Sequence, residues 1–189
     1  LIKIGINELV INTHYLSQEI DNFLNTKNYE ISINVTQEQE LLDTGGGILN
    51  STKRFENNPF YVLNPDTVWN KNYFEELKIL ENSYLENNKP ILLLVDKKIS
   101  YDKSFKGDFN FKKNKCIIRE ATNQYIFTGA QIVNRSIFED IKEKVFSMNL
   151  VWDKMIKKKL LLGQESNQTF FHVNNFKVYK ELNKIKFID

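Results

Sequence analysis

This 189-residue chain has a single cysteine and only a small excess of positive over negative side chains. The single cysteine, Cys116, excludes an intrachain disulfide, and its apolar surroundings predict a packing role in a protein of the reducing cytoplasm. Lys and Arg number 26 against 24 Asp and Glu, a net charge of +2 that is too small for the basic surface of a dedicated nucleic-acid-binding protein. We therefore expect any anionic ligand to be a small molecule and not a nucleic acid polymer.

Long apolar runs are missing as well. Runs such as residues 90–95 extend over about six residues, whereas a membrane-spanning helix needs about 20. No export signal is visible at the N-terminus, so we expect no membrane partner. The chain does not begin with Met, and residues 1–6 are typical of the last turn of a helix ended by Gly5, which predicts a start inside a longer protein.

Short apolar strands alternate with amphipathic helices in the first half of the chain. Strand patterns occur at residues 8–12, 29–35, 59–63 and 91–95. This alternation predicts a mostly parallel sheet flanked by helices. The second half predicts a small antiparallel lobe with strands at 108–111, 115–119 and 125–133, followed by helices at 136–145 and 149–158 and a strand at 169–173. We predict a single α/β domain over residues 1–189.

Three consecutive glycines, residues 45–47, lie at a strand-to-helix connection. Ligands of an open parallel sheet bind beyond the carboxyl ends of its strands. At such a place missing side chains let a ligand approach the backbone, and a helix N-terminus offers N–H donors. The sequence therefore predicts a nucleotide site here, and the alternative is a tight turn that requires positive φ.

Asp66 directly follows the apolar segment at residues 59–63. We expect its carboxylate to project from the strand end into the same crevice. Mg²⁺ is commonly held by one or two carboxylates together with substrate phosphates and water, so a single Asp is a sufficient anchor. The alternative is an Asx turn or a helix N-cap.

Three segments together resemble the sugar-1-phosphate nucleotidyltransferases. They are Asn-Thr-His-Tyr-Leu at residues 12–16, Leu-Asp-Thr-Gly-Gly-Gly-Ile at 42–48 and Pro-Phe-Tyr-Val-Leu-Asn-Pro-Asp at 59–66. The likeness continues at residues 107–110, 127–132 and 171–175. It is strongest to the bacterial N-acetylmuramate-1-phosphate uridylyltransferases of cell-wall recycling and to similar sequences labelled mannose-1-phosphate guanylyltransferases. The resemblance implies the Rossmann-like fold of the nucleotide-diphospho-sugar transferases.

The resemblance implies a reaction in which a sugar 1-phosphate attacks the α-phosphorus of a nucleoside triphosphate, giving a nucleotide sugar and pyrophosphate. UTP is favoured by the likeness of residues 42–47, and GTP stays open. Asp66 matches the catalytic position that holds Mg²⁺. The nucleotide-binding positions match Glu38, Thr44, Gly45 and Gly46, and the sugar-binding positions match Gly107, Thr128 and Gly129.

Two departures from the family pattern concern the metal. Pro65 replaces the glycine of the usual Asn-Gly-Asp, which fixes φ and removes an N–H. The second metal ligand is an Asp in many members, and here the aligned residues begin with His172. The alignment favours His172 as the ligand, whereas the preference of Mg²⁺ for oxygen favours Asn174. A hydrogen-bonded strand histidine is the third interpretation of His172.

The family begins with a strand, a Gly-x-Gly-Thr-Arg phosphate loop and a Pro-Lys pair, and this chain starts after them. Each preorganised charge of that kind contributes several kcal/mol to transition-state stabilisation. We therefore expect these 189 residues alone to show impaired or absent turnover. Pyrophosphate release from sugar phosphate with UTP or GTP should be much faster in a version extended by those segments, and equal rates would refute this expectation.

Two other functions stay open. One is a catalytically incomplete nucleotide- or sugar-binding module of the same fold. The other is a related glycosyltransferase, which is less favoured because Asn64 occupies the first position of the Asp-x-Asp pair that such enzymes carry. The sequence leaves the oligomeric state open.

Overall fold

A computed structural model describes residues 1–184 of the chain, whose secondary structure groups into two units with separate sheets. The first unit comprises Leu1–Pro59 and Asn134–Met155, and the second comprises Phe60–Val133 and the described part of Ile156–Asp189. In chain order the elements are β1 (Glu8–Thr13), α1 (Ser17–Asn25), β2 (Ser32–Gln37), α2 (Asp43–Ser51), β3 (Phe60–Leu63), α3 (Tyr73–Asn87), β4 (Ile91–Asp96), β5 (Asn110–Phe111), β6 (Ile117–Ile118), β7 (Tyr125–Val133), α4 (Met148–Lys157), β8 (Leu162–Ser166) and α5 (Phe176–Leu182).

The first unit is built on two parallel strands. β1 and β2 pair in parallel from Glu8 opposite Ser32 to Thr13 opposite Gln37, and α1 connects them. α2 follows β2 and contacts β1, and most of α4 belongs to this unit. The strand–helix–strand order that the sequence predicts is therefore present, with the parallel pairing that such a crossover requires.

The second unit is built on a four-stranded mixed sheet in the order β3-β7-β4-β8. β7 runs antiparallel to both β3 and β4, and β8 runs parallel to β4. It follows that β3, β4 and β8 all point the same way and that β7 alone is reversed within this sheet. β5 and β6 form a separate antiparallel pair. The predicted α/β class with a small antiparallel lobe is confirmed.

The core of the second unit centres on β4. Ile91 to Val95 are all fully buried, because β4 lies between β7 and β8. A second layer joins Val95 to Ile126 and Phe170. A neighbouring cluster packs Phe171 against α5. These two clusters fix the position of the chain at residues 170–173.

Three details differ from the sequence prediction. Residues 136–145 form only a short 3-10 helix at Arg135–Phe138, and residues 169–173 make isolated bridges in place of a strand. β8 has no counterpart in the prediction.

Among residues 1–184 no helix combines the length and the apolarity that crossing a bilayer requires.

Candidate functional site

The turn that carries Asp66 is held against the middle of β7. At the end of β3 the Asn64 N–H donates to the Gly129 carbonyl at 2.8 Å. On the other side of Asp66 the Thr67 hydroxyl donates to the Thr128 carbonyl at 2.7 Å, in a buried bond. Because both flanks of the turn are bound to one strand, the backbone that carries the carboxylate has a fixed position.

Gly129 makes this close approach possible. Its φ is +92°, a conformation that favours glycine. A Cβ atom at this position would lie 2.7 Å from the Asn64 Cβ and 3.0 Å from the Thr67 Oγ1. The neighbouring Thr128 side chain is fully buried, and its hydroxyl donates to the Leu93 carbonyl at 2.9 Å. Both residues therefore support the Asp66 turn, and their predicted contact with a sugar stays a prediction.

Asp66 is also paired with His172 through backbone and side chain. Thr67 and His172 form an antiparallel bridge, and the Val173 N–H donates to the Asp66 carbonyl at 2.7 Å. The His172 Nε2 lies 3.1 Å from the Asp66 Oδ2, while 46% of the Asp66 side chain is exposed. The hydrogen bond from His172 is the main cause that lowers the Asp66 pKa, against a smaller opposing effect of burial. Asp66 is consequently an ionised, accessible carboxylate at neutral pH.

The His172 ring is enclosed by aromatic side chains. Phe105 lies nearly perpendicular to it at 5.6 Å between ring centroids, and Phe170 lies at 5.9 Å. The Nδ1 atom is buried and has no hydrogen-bond partner within residues 1–184. The ring therefore directs Nε2 to Asp66 and Nδ1 into an apolar environment.

Asn174 is engaged at both ends of its side-chain amide. Its Nδ2 donates to the Asp102 Oδ2 at 3.0 Å, and its Oδ1 accepts a bond from the Asn175 Nδ2 at 2.7 Å. Hydrogen bonds from Ser104, and then from Asn174, lower the Asp102 pKa. Sequence reasoning missed Asp102, although the Asp-x-Ser spacing with Ser104 is a recognisable turn signal.

The donor atoms around Asp66 fit Mg²⁺ bound mainly by substrate. In the part of the chain that the structure describes, no group of three or more His, Cys, Asp or Glu side chains could hold a metal ion. Mg²⁺ does not require such a group, because one carboxylate can anchor it when phosphates and water supply the other oxygens. The half-exposed Asp66 carboxylate meets this requirement.

In the first unit Glu38 connects the segment at residues 12–16 with the glycine segment. Its Oε1 accepts a bond from the Asn12 Nδ2 at 3.0 Å, and its Oε2 accepts one from the Leu42 N–H at 3.2 Å. Glu38 is 5% exposed. A Cβ atom on Gly47 would come within 2.6 Å of Oε1, so glycine leaves room for the carboxylate. Glu38 thus supports the start of α2, and its predicted contact with a nucleobase stays a prediction.

The glycines lie inside the first turns of α2 and not in a loop. The positive φ falls at Asp43, at 60°, and none of the three glycines has one. The interpretation as a positive-φ glycine turn is therefore wrong. The Gly45 and Gly46 N–H groups both donate to the Phe146 carbonyl, at 2.9 and 3.0 Å. These two donors were expected to be free for a ligand, and the structure instead pairs them with protein backbone.

The segment around Phe146 lies close to α2 because glycine has no side chain. A Cβ atom on Gly45 would lie 2.4 Å from the Phe146 ring, and one on Gly46 would lie 2.6 Å from the Lys144 carbonyl. Thr44 completes the contact, since its hydroxyl accepts a bond from the Met148 N–H at 2.9 Å. The nucleotide-binding role of Thr44, Gly45 and Gly46 stays a prediction.

Gly107 occupies a tight junction in the second unit. Its φ is +83°, and a Cβ atom there would lie 2.4 Å from the Asn123 carbonyl oxygen. The adjacent Asp108 accepts a bond from the Phe127 N–H at 2.9 Å.

The predicted site residues fall into two groups. Within the second unit the structure brings together Asp66, His172, Thr128 and Gly129. Glu38, Thr44, Gly45 and Gly46 belong to the first unit.

Comparison with known proteins supports the resemblance found in the sequence. No protein-family model matches the chain. Over 67 residues the chain is 31% identical to the D-glycero-alpha-D-manno-heptose 1-phosphate guanylyltransferase of Aneurinibacillus thermoaerophilus. That match spans 35% of this chain and only 29% of the relative.

Similar solved structures cover nearly the whole chain. HddC from Yersinia pseudotuberculosis matches with a TM-score of 0.75 at 20% identity, over 97% of this chain and 81% of its own. A UDP-glucose pyrophosphorylase complexed with UDP-glucose matches with a TM-score of 0.77 at 13% identity, again over 97% and 81%. The chain therefore has the Rossmann-like α/β fold of these proteins. The predicted resemblance to sugar-1-phosphate nucleotidyltransferases is confirmed.

Proposed function

We propose that this chain is part of a sugar-1-phosphate nucleotidyltransferase. The single observation that carries the proposal is the Asp66 carboxylate, which is ionised, half exposed and fixed at a strand end in the expected fold. In the proposed reaction a phosphate oxygen of the sugar 1-phosphate forms a bond to the α-phosphorus of a nucleoside triphosphate. The bond between the α-phosphorus and its bridging oxygen breaks, and pyrophosphate leaves.

Asp66 would hold Mg²⁺ together with oxygen atoms of the substrates and water. When bound, that ion neutralises negative charge on the phosphoryl oxygens of the transition state. The chain's own contribution is preorganisation, because Asn64 and Thr67 on either side of Asp66 are bound to β7 and the Asp66 carbonyl accepts a bond from the Val173 N–H. A carboxylate fixed in this way needs no rearrangement when substrates bind.

We assign nucleotide binding to Glu38, Thr44, Gly45 and Gly46, and sugar-phosphate binding to Gly107, Thr128 and Gly129. The support is the match of these positions to the family motifs. The polar side-chain atoms of two of these residues already have partners: the Thr128 hydroxyl and both Glu38 carboxylate oxygens are hydrogen-bonded to other groups of the protein. These residues would therefore act by shaping the backbone around them more than by direct side-chain contact.

Uracil is the proposed base, and guanine is the second candidate. The likeness of residues 42–47 to the uridylyltransferases of cell-wall recycling favours UTP and a role in that process. Guanine is favoured by the curated relative, which is named a guanylyltransferase, and by the HddC structure complexed with GMP-PN, a match at 21% identity with a TM-score of 0.74.

Calorimetric titration of the chain with UTP, GTP and ATP, with and without Mg²⁺, tests this proposal. We expect UTP to bind about tenfold more tightly than GTP, a difference of about 1.4 kcal/mol that one base-specific pair of hydrogen bonds can supply. We expect Mg²⁺ to strengthen binding, because Asp66 would contact the nucleotide through the ion. Tighter binding of GTP would select guanine, and binding that is indifferent to Mg²⁺ would contradict the role of Asp66.

A further inference from the structure

The contact between Asp66 and His172 determines which ring nitrogen carries a proton. An ionised carboxylate can only accept hydrogen bonds, so the 3.1 Å contact from Oδ2 requires a hydrogen on Nε2. In the neutral imidazole the lone pair then lies on Nδ1. That atom is buried beside Phe105 and Phe170, without a partner in the described part of the chain.

Neither ring nitrogen is therefore available to coordinate a metal ion. Nε2 presents a hydrogen to Asp66, and the Nδ1 lone pair is buried in an apolar environment. The bridge to Thr67 fixes the His172 backbone, and the rings of Phe105 and Phe170 lie 5.6 and 5.9 Å from the His172 ring, the first nearly perpendicular to it and the second tilted by 35°. Asn174 is likewise committed, since its amide is bound to Asp102 and Asn175.

We propose that His172 is a positioning residue for a divalent cation held by Asp66, and that neither His172 nor Asn174 coordinates that cation. The Nε2–H bond selects one orientation of the Asp66 carboxylate and leaves its other oxygen for the ion. The inference rests on the proposed function. Hydrogen-bond partners of metal ligands typically change metal affinity by about 10–100-fold when they are removed.

A first experiment needs neither metal nor nucleotide. Long-range ¹H–¹⁵N NMR spectra of the chain at mildly alkaline pH report the tautomer of each of its two histidines. A His14→Gln variant assigns the signals. We expect His172 to be the Nε2–H tautomer. The Nδ1–H tautomer would overturn the inference and would leave the proposed function untouched.

A second experiment uses Mn²⁺ with UTP as the probe. In a chain labelled with ¹⁵N-histidine, pulsed EPR detects a nitrogen coupling only if a histidine coordinates the ion. We expect no such coupling. A ¹⁵N coupling that disappears in His172→Gln would overturn this inference alone. Failure of the version extended by the phosphate-loop segments to bind Mn²⁺–UTP would overturn both the inference and the proposed role of Asp66.

Two substitutions separate the roles of the ring nitrogens. His172→Gln places an amide N–H near the position of Nε2, whereas His172→Asn places it near that of Nδ1. We expect the Gln variant to keep Mn²⁺–UTP affinity close to that of the unaltered chain and the Asn variant to lose about 10–100-fold. Equal affinities in all three proteins would overturn the positioning role. Thermal melting of the Asn variant shows whether it is folded, and the Gln variant and the unaltered chain test the inference whatever that result.

Discussion

Replacing Asp66 with Asn should lower Mg²⁺-dependent nucleotidyl transfer on the order of 10²–10³-fold, the range observed when one preorganised electrostatic group is lost from an active site. The amide has the same shape as the carboxylate but no negative charge. Its Oδ1 can still accept the bond from the His172 Nε2, and the backbone contacts to Gly129 and Val173 do not involve the side chain. We therefore expect the fold to be preserved while metal-dependent chemistry is lost.

Two measurements check the Asp66→Asn result. Pyrophosphate release is measured in the version extended by the phosphate-loop segments, and Mg²⁺-dependent nucleotide binding is measured in the chain itself. Glu86→Gln is the matched control, because it makes the same carboxylate-to-amide change at an exposed position on α3. Thermal melting of both variants should stay close to that of the unaltered chain.

The same substitution distinguishes an enzyme from a binding module. In an enzyme Asp66→Asn removes transfer, whereas in a module of the same fold the only loss is in ligand affinity. Transfer that continues at the unaltered rate would show that Asp66 does not hold the catalytic ion. A folded extended protein that binds nucleotide but never releases pyrophosphate would support the module.

The position of Asp66 could be predicted because it follows from one short segment. An apolar strand that ends in Asn-Pro-Asp places the carboxylate at the strand end, and β3 has this form. The partnership with His172 could not be predicted in the same way. It depends on an isolated bridge between two segments that are distant in sequence, and no periodicity marks such a bridge. The family pattern gave His172 as a candidate metal ligand, but it could not give the contact of its ring with Asp66.

The errors in the predicted secondary structure have one physical cause, which is hydrogen bonding between segments that are distant in sequence. Residues 136–145 have a helical pattern, but the Phe146 N–H and carbonyl are bound to Leu42 and to the glycines of α2, so the preceding chain cannot continue as a helix. β8 contains no β-branched residue and was missed, yet its parallel pairing with β4, whose residues 91–95 are fully buried, makes it a strand. β7 was predicted with its observed bounds because nine residues carry the pattern by themselves.

Gly45→Ala should destabilise the first unit, although the same change usually stabilises a helix. In an exposed helix interior, alanine is favoured over glycine by about 0.5–1 kcal/mol. Here a Cβ atom would lie 2.4 and 2.5 Å from two carbons of the Phe146 ring and 2.9 Å from its carbonyl oxygen. Overpacking of this kind costs about 1–3 kcal/mol. We expect the free energy of unfolding, measured by urea denaturation, to fall by about 2 kcal/mol.

A double-mutant cycle with Phe146→Leu tests the cause of that destabilisation. The smaller side chain removes the ring carbons that oppose Gly45→Ala, so the loss should shrink by about 1 kcal/mol in this background. Gly46→Ala is the matched control, because its Cβ atom would meet the Lys144 carbonyl at 2.6 Å and not the ring. Its effect should be the same in both backgrounds within about 0.5 kcal/mol. Two results would show that the Phe146 ring is not the reason for glycine at residue 45. One is a stabilising Gly45→Ala, and the other is an equal coupling energy of Gly45→Ala and Gly46→Ala with Phe146→Leu.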